Sequence, residues 1–208
     1  RRASGERIHD DVAGIGTEIG KTLISAIFTQ ALQADYWKPI QSGNPEEADA
    51  LFIKKMTQLP NLKVWDSSYV LSQPLSPHTA AEIDGVTIDL EKIQLPQTSN
   101  ALIVELAGGI LVPVNDHQTN LDLIKKLNLP VLLVSKNYLG SINHTLLTYQ
   151  VLTDNHIPMM GIVFNGPSNP SGEKFILKYT QLPVVLRVQQ EQEITPETII
   201  KYAKSISN

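Results

Sequence analysis

The chain has 208 residues, no cysteine and a formal net charge of −4. That length suits one domain with a sizeable core, and the missing cysteine excludes disulfides, thiolate metal sites and a thiol nucleophile. The mild negative charge gives no global attraction to nucleic acid, and no apolar run reaches membrane-spanning length, so a cytoplasmic protein with neither kind of partner is expected.

The opening stretch, RRASGERIHDDV, fits poorly with the rest of the chain. Only Ile8 and Val12 are strongly apolar, and Asp10 and Asp11 would be costly at the centre of a sheet. No buried strand is read there, and residues 1–7 read as foreign or atypical sequence. His9-Asp10-Asp11 as a metal cluster is the weaker of the available readings. Next comes AGIGTEIGKTLISAIF (Ala13 to Phe28), a glycine-rich turn running into a helical pattern over Lys21 to Gln33. Its spacing departs from the usual phosphate loop G-x-x-x-x-G-K-[ST], because five residues, not four, separate Gly14 from Gly20-Lys21-Thr22.

Short, continuously apolar runs then read as strands covered on both faces. They are Tyr36 to Ile40 (the weakest), Ala101 to Leu106, Pro130 to Ser135, Met160 to Asn165 and Val184 to Val188. Helical patterns lie between them at Glu46 to Met56, Asn120 to Leu127, Ser141 to Thr153 and Gly172 to Tyr179. A last helix, Pro196 to Ser205, has Thr195 as N-cap. Ser67 to Pro96 reads as an excursion over the sheet edge. The alternation predicts a single α/β domain over 1–208, doubly wound, with a mostly parallel sheet and helices on both faces. The glycine-rich loop ahead of Lys21-Thr22 makes the expected fold one of the P-loop NTPase type.

A glycine-rich turn ahead of a helix leaves backbone N–H groups free to face phosphate. Lys21 adds a point charge, and the Thr22 hydroxyl suits Mg²⁺. Lys38, Gln41, Ser42 and Gly43 fall at the C-terminal end of one predicted strand, and Glu105, Gly108 and Gly109 at the end of another. That edge is where open parallel sheets bind ligands. Asp49 lies early in a helix, so Thr22, Asp49 and Glu105 form a candidate oxygen-rich Mg²⁺ site. Lys38 alone also fits a surface lysine whose stem covers apolar surface. His78 fits a structural role as well as a functional one, and His9, His117 and His156 read as surface residues.

GIGTEIGKT, KPIQSG, SPH, VELAGG and LGSINHTLLT, in this order and spacing, resemble dethiobiotin synthetase, from about Gly14 to Pro196. The long spacer is that family's own variant loop. The resemblance implies an ATP- and Mg²⁺-dependent enzyme that joins CO2 to 7,8-diaminononanoate. A carbamate forms on one amine, ATP phosphorylates it, and the second amine attacks the mixed anhydride, releasing phosphate and closing the cyclic urea. It implies catalytic roles for Lys21, Lys38, Thr17 and Ser42, and nucleotide contacts from Gly16, Thr17, Glu18, Ile19, Gly20, Lys21, Thr22 and Asn165. Substrate contacts are implied for Ser42, Ala107, Gly108, Gly109, Gly140, Ser141 and Asn143, the last three reaching across a two-fold homodimer to the substrate carboxylate. N-capping by Ser141 and a turn at Asn165-Gly166-Pro167 are the plainer readings of two of these segments.

Three departures stand out. Leu106 replaces the glycine of the family's EGAGG, which is expected to crowd the substrate. Lys136 is unusual, and LRVQQEQEITPE lacks the family's Gly-x-Ile-Pro turn before the base-binding loop. A partitioning or scaffold ATPase of the same superfamily is the rival reading, although Gly14 to Thr17 carries no second lysine of the kind such proteins use. A degenerate, non-catalytic relative is another.

Overall fold

A computed structural model describes residues 9–44 and 49–206. Seven strands, all in parallel pairs, form one sheet. These strands are β1 (His9–Gly14), β2 (Asp35–Trp37), β4 (Val64–Trp65), β6 (Leu102–Gly109), β7 (Val131–Lys136), β8 (Met159–Asn165) and β9 (Val184–Val188), in the order β4-β2-β6-β1-β7-β8-β9. A separate pair, β3 (Ile40–Ser42) and β5 (Tyr69–Leu71), stands beside it.

Helices cover both faces. On one side lie α1 (Lys21–Leu32), α2 (Asp49–Met56) and α7 (Pro196–Ile206), with Ile24, Ile27, Phe28, Ile53 and Ile199 packed on Val12, Ile103, Leu132 and Val163. The other side carries α3 (Pro77–Ile83), α4 (Asn120–Leu127), α5 (Ser141–Asp154) and α6 (Pro170–Thr180). Side chains alternate across a strand, so Leu132 and Leu133 serve opposite cores.

Two expectations are corrected. The stretch judged unfit for a strand is β1, the central one, paired with β6 on one side and β7 on the other. Ladder bonds from both neighbours hold its backbone, so Asp11 is carried fully into the interior, where neither carboxylate oxygen has a hydrogen-bond partner among the described residues. Burial, then the charge of Asp10, pushes the Asp11 pKa well above the ordinary carboxylate value. Asp10 and Asp11 face opposite sides of the sheet and so share no ligand site. The proposed strand from Tyr36 to Ile40 is two strands in two sheets. Pro39 has no N–H to continue the first ladder, and its carbonyl accepts from Tyr69 N at 3.1 Å to begin the second. The excursion after Ser67 holds β5 and α3, and the first residues of the predicted Glu46 to Met56 helix lie outside the described residues. Thr195 caps α7 as expected, its Oγ1 accepting from Thr198 N at 3.3 Å.

Candidate active site

Parallel strands deliver the candidate residues to one edge. After β1 the loop turns at Gly20, whose φ of 88° suits glycine, and a Cβ there would sit 2.2 Å from Asn165 Nδ2. The α1 N-terminus thus opens directly at the loop. Inside it, Lys21 Nζ donates to Gly16 O at 2.8 Å. Burial lowers the Lys21 pKa to about 8, with Glu105 and Asp49 pulling it up and Lys38 pushing it down.

Across the cleft, the Thr22 hydroxyl contacts Asp49 Oδ1 at 2.5 Å and Glu105 Oε1 at 2.8 Å. It has one proton for two carboxylates. Lys38 Nζ pairs with Asp49 and lies 3.8 Å from Glu105 Oε1. Burial opposes the Lys38 charge, but Glu105 and Asp49 outweigh it and hold the pKa above the ordinary lysine value. Burial likewise opposes the charge on Asp49, and Lys38 with Thr22 nonetheless hold that carboxyl below its usual range. Hydroxyl and carboxylate oxygens gathered at a loop-and-helix terminus are a hard donor set, which fits Mg²⁺ beside a bound nucleotide phosphate.

Two adjoining hollows share Thr17, Glu18, Lys38 and Gly108. The first, of about 410 Å³, also has Gly20, Lys21, Thr22, Asp49 and Glu105 on its walls. The second, of about 520 Å³, is completed by Ser42, Pro74 to Pro77, Ala107 and Val112. Gly109 lies against the loop, where an added Cβ would be 3.6 Å from Gly16 Cα. Ser42 Oγ is buried with no hydrogen-bond partner among the described residues.

Other candidates lie elsewhere. Ile19 is buried beneath the loop, and Asn165 Nδ2 donates to its carbonyl at 2.7 Å. Gly140 and Asn143 line a different hollow, with Tyr138, Leu139 and Pro167 to Asn169. Gly140 is itself the N-cap of α5, and the Ser141 hydroxyl is buried, accepting from Tyr138 N at 3.3 Å. His78 packs its ring nitrogens against Ser76 and Thr79 hydroxyls, facing a fourth hollow with Glu82 and Asp116. His117 and His156 are exposed, while the side chain of His9 lies outside the described residues. Leu106 does not crowd the cleft. Alternation along β6 turns it into the core opposite Glu105, where it is 1% exposed.

Three contributors escaped the sequence reading. Asn120 donates to Ala107 O at 2.6 Å and Gly109 O at 2.9 Å, clamping the glycine turn. Lys136 Nζ reaches Glu18 O at 3.1 Å and so braces the phosphate loop. Tyr36 donates to Glu105 Oε2 at 2.9 Å. None belongs to a family motif, and each acts on a residue distant in sequence. The segment after β9, which lacks the family turn, is tied to α7 instead, with Gln189 N donating to Tyr202 Oη at 3.1 Å.

A family model described as an AAA domain matches residues 12–198. The ATP-dependent dethiobiotin synthetase BioD of Cytophaga hutchinsonii is 50% identical over 92% of this chain and 93% of its own length. The chain belongs to the dethiobiotin synthetase family. The protein of the same name from Christiangramia forsetii is 43% identical over 93% of each chain. Among solved structures, the septum site-determining protein MinD from Pyrococcus horikoshii, complexed with Mg-ADP, superposes with a TM-score of 0.60. It is 15% identical and covers 97% of this chain and 91% of its own. A ParA family ATPase from Chlorobium tepidum gives 0.58 at 14% identity, over 97% and 96% of the two chains. Those likenesses establish the P-loop α/β fold, and the synthetase relatives place the chain within it. Among the described residues, no helix is long and apolar enough to cross a membrane.

Proposed function

We propose that this chain is an ATP-dependent dethiobiotin synthetase that closes a urea ring from 7,8-diaminononanoate and CO2, releasing ADP and phosphate. The observation that carries the reading is the pair of hollows meeting at Lys38, one lined by phosphate- and metal-binding groups, the other by Ser42 and the glycine turn. A phosphoryl group leaving the first meets its acceptor in the second.

The work of the chain is positioning and charge neutralisation. Lys21, the loop amides of Gly16 to Gly20 and the α1 N-terminus hold the phosphates. Thr22, Asp49 and Glu105 hold Mg²⁺, which supplies positive charge to the phosphate oxygens. Lys38 faces the carbamate and the moving phosphoryl charge, while Thr17, Ser42 and the Ala107–Gly109 turn orient the acceptor. Asn165 offers its remaining amide capacity to the adenine edge. ATP supply favours a cytoplasmic setting.

Gly140 and Asn143 stand apart from both hollows of their own chain, which supports a role for the α5 start in a neighbouring subunit of a homodimer. A two-fold arrangement makes two equivalent composite sites. Lys21→Ala and Asn143→Asp subunits, mixed and verified as heterodimers, then recover towards half the wild-type activity. No recovery in verified heterodimers means that α5 acts within its own chain. For the reaction itself, phosphate release is measured with diamine or bicarbonate omitted, and the product is weighed. Release that requires both, with the mass of dethiobiotin, is the expected result. Full turnover without diamine would falsify the synthetase reading in favour of a switch ATPase.

A further inference from the structure

We infer that Tyr36 is a positioning residue that fixes Glu105 for metal binding by dividing the work of its two carboxylate oxygens. Glu105 is 1% exposed and Tyr36 wholly buried, so their 2.9 Å bond is made out of water. An ionised carboxylate only accepts, so the tyrosine hydroxyl is the donor. Oε2 is taken by Tyr36, while Oε1 turns to Thr22 at 2.8 Å and Lys38 at 3.8 Å. Tyr36 thereby fixes one carboxylate oxygen from β2, and the other is left facing Thr22, Lys38 and the proposed metal position. Side-chain alternation puts Tyr36 and Lys38 on the same side of the chain leaving β2, so one short segment supplies both the anchor beneath Glu105 and the cation in front of it. Tyr36 lies opposite Ile103 in the β2–β6 register, two positions before Glu105, which brings the phenol across the strand pair to the carboxylate. Partners of this kind orient metal ligands, and their loss commonly lowers metal affinity about 10–100-fold.

The inference rests on Glu105 as a metal ligand, and its test keeps the two claims apart. Mn²⁺ binding to the ADP complex is followed by electron paramagnetic resonance, without diamine or turnover. Tyr36→Phe keeps the ring and removes only the hydroxyl. It should raise the Mn²⁺ dissociation constant about 10-fold or more, with ADP affinity in the absence of metal unchanged. Glu105→Gln should weaken Mn²⁺ as well, and the double variant should bind no more weakly than Glu105→Gln alone. An unchanged Mn²⁺ constant in folded Tyr36→Phe, or losses that add in the double variant, overturns the role of the tyrosine. An unchanged constant in Glu105→Gln overturns the ligand assignment and the inference with it. Should Tyr36→Phe not fold, the wild-type chain labelled with fluorotyrosine and read by fluorine NMR decides the matter. One resonance should shift with Mg²⁺ in the Glu105 protein and not in Glu105→Gln. No shift in the former overturns the proposal.

Discussion

Glu105 and Asp11 lie on neighbouring strands, and both are almost wholly buried, at 1% and 0% exposure. Their surroundings differ completely. Glu105 is met by the hydroxyls of Tyr36 and Thr22 and by the ammonium of Lys38. Asp11 is flanked in register by Val104 and Val131, and neither of its oxygens has a partner among the described residues. Burial alone says little about a carboxylate. The donors collected around it separate a site from a burden on the fold.

The strongest way to break this contrast is to strip the cleft acids of their cation. Lys38→Met should lower turnover by about two orders of magnitude, the scale for losing a charge aimed at the transition state. ATP affinity should stay within a few-fold, because Lys38 stands outside the loop. Melting temperature should also fall, since Asp49 and Glu105 lose their shared partner. Near-normal turnover would reduce Lys38 to a counter-ion.

Next in size is the metal requirement. Asp49→Asn and Glu105→Gln should each raise the half-saturating Mg²⁺ concentration, on the order of tenfold, whereas Asp11→Asn should leave it alone. A magnesium titration in which all three behave alike would erase the distinction.

Lys21 gives a gentler test through pH. Its pKa in the free protein is lowered to about 8, while phosphate binding needs the charged form. Affinity for ATP should therefore be complete below that value and decline as pH rises through it towards the ordinary lysine range. An affinity constant to high pH would show that the cleft keeps the ammonium.

Asp11→Val is the smallest change. A folded-state pKa raised above the unfolded value makes ionisation oppose folding. That cost is absent below the unfolded value near 4 and grows as pH rises above it. The substitution should stabilise the protein by about 1–3 kcal/mol, seen as a higher melting temperature at pH 8 with a smaller gain at pH 5. Equal gains at both pH values would mean that the group is not buried as an acid.

The same contrast explains what could be read in advance. The loop and α1 were legible because Gly20-Lys21-Thr22 and the Ile24, Ile27, Phe28 spacing are local signals. β1 was not, because its two aspartates outweighed Val12 and Ala13 in any local reading, and only pairing from both sides makes it a strand. Glu105 was legible from its place at a strand end, but its anchor Tyr36 was not, being brought to it by strand order alone. Leu106 was misjudged for a related reason. Its motif position suggested the cleft, while the strand's alternation sends it to the core.

The break at Pro39 has a consequence for how such an enzyme can change. The first hollow is built mainly on the ends of β1, β6 and α1, whereas Ser42 and Pro74 to Pro77 belong to β3 and to the chain running from β5 into α3. The two hollows share Thr17, Glu18, Lys38 and Gly108, but only the second of them is walled by β3 and the 74–77 segment. Substitutions at 74–77 should alter which amine is accepted and leave the constant for ATP unmoved, so the choice of acceptor can drift while the energy source stays the same.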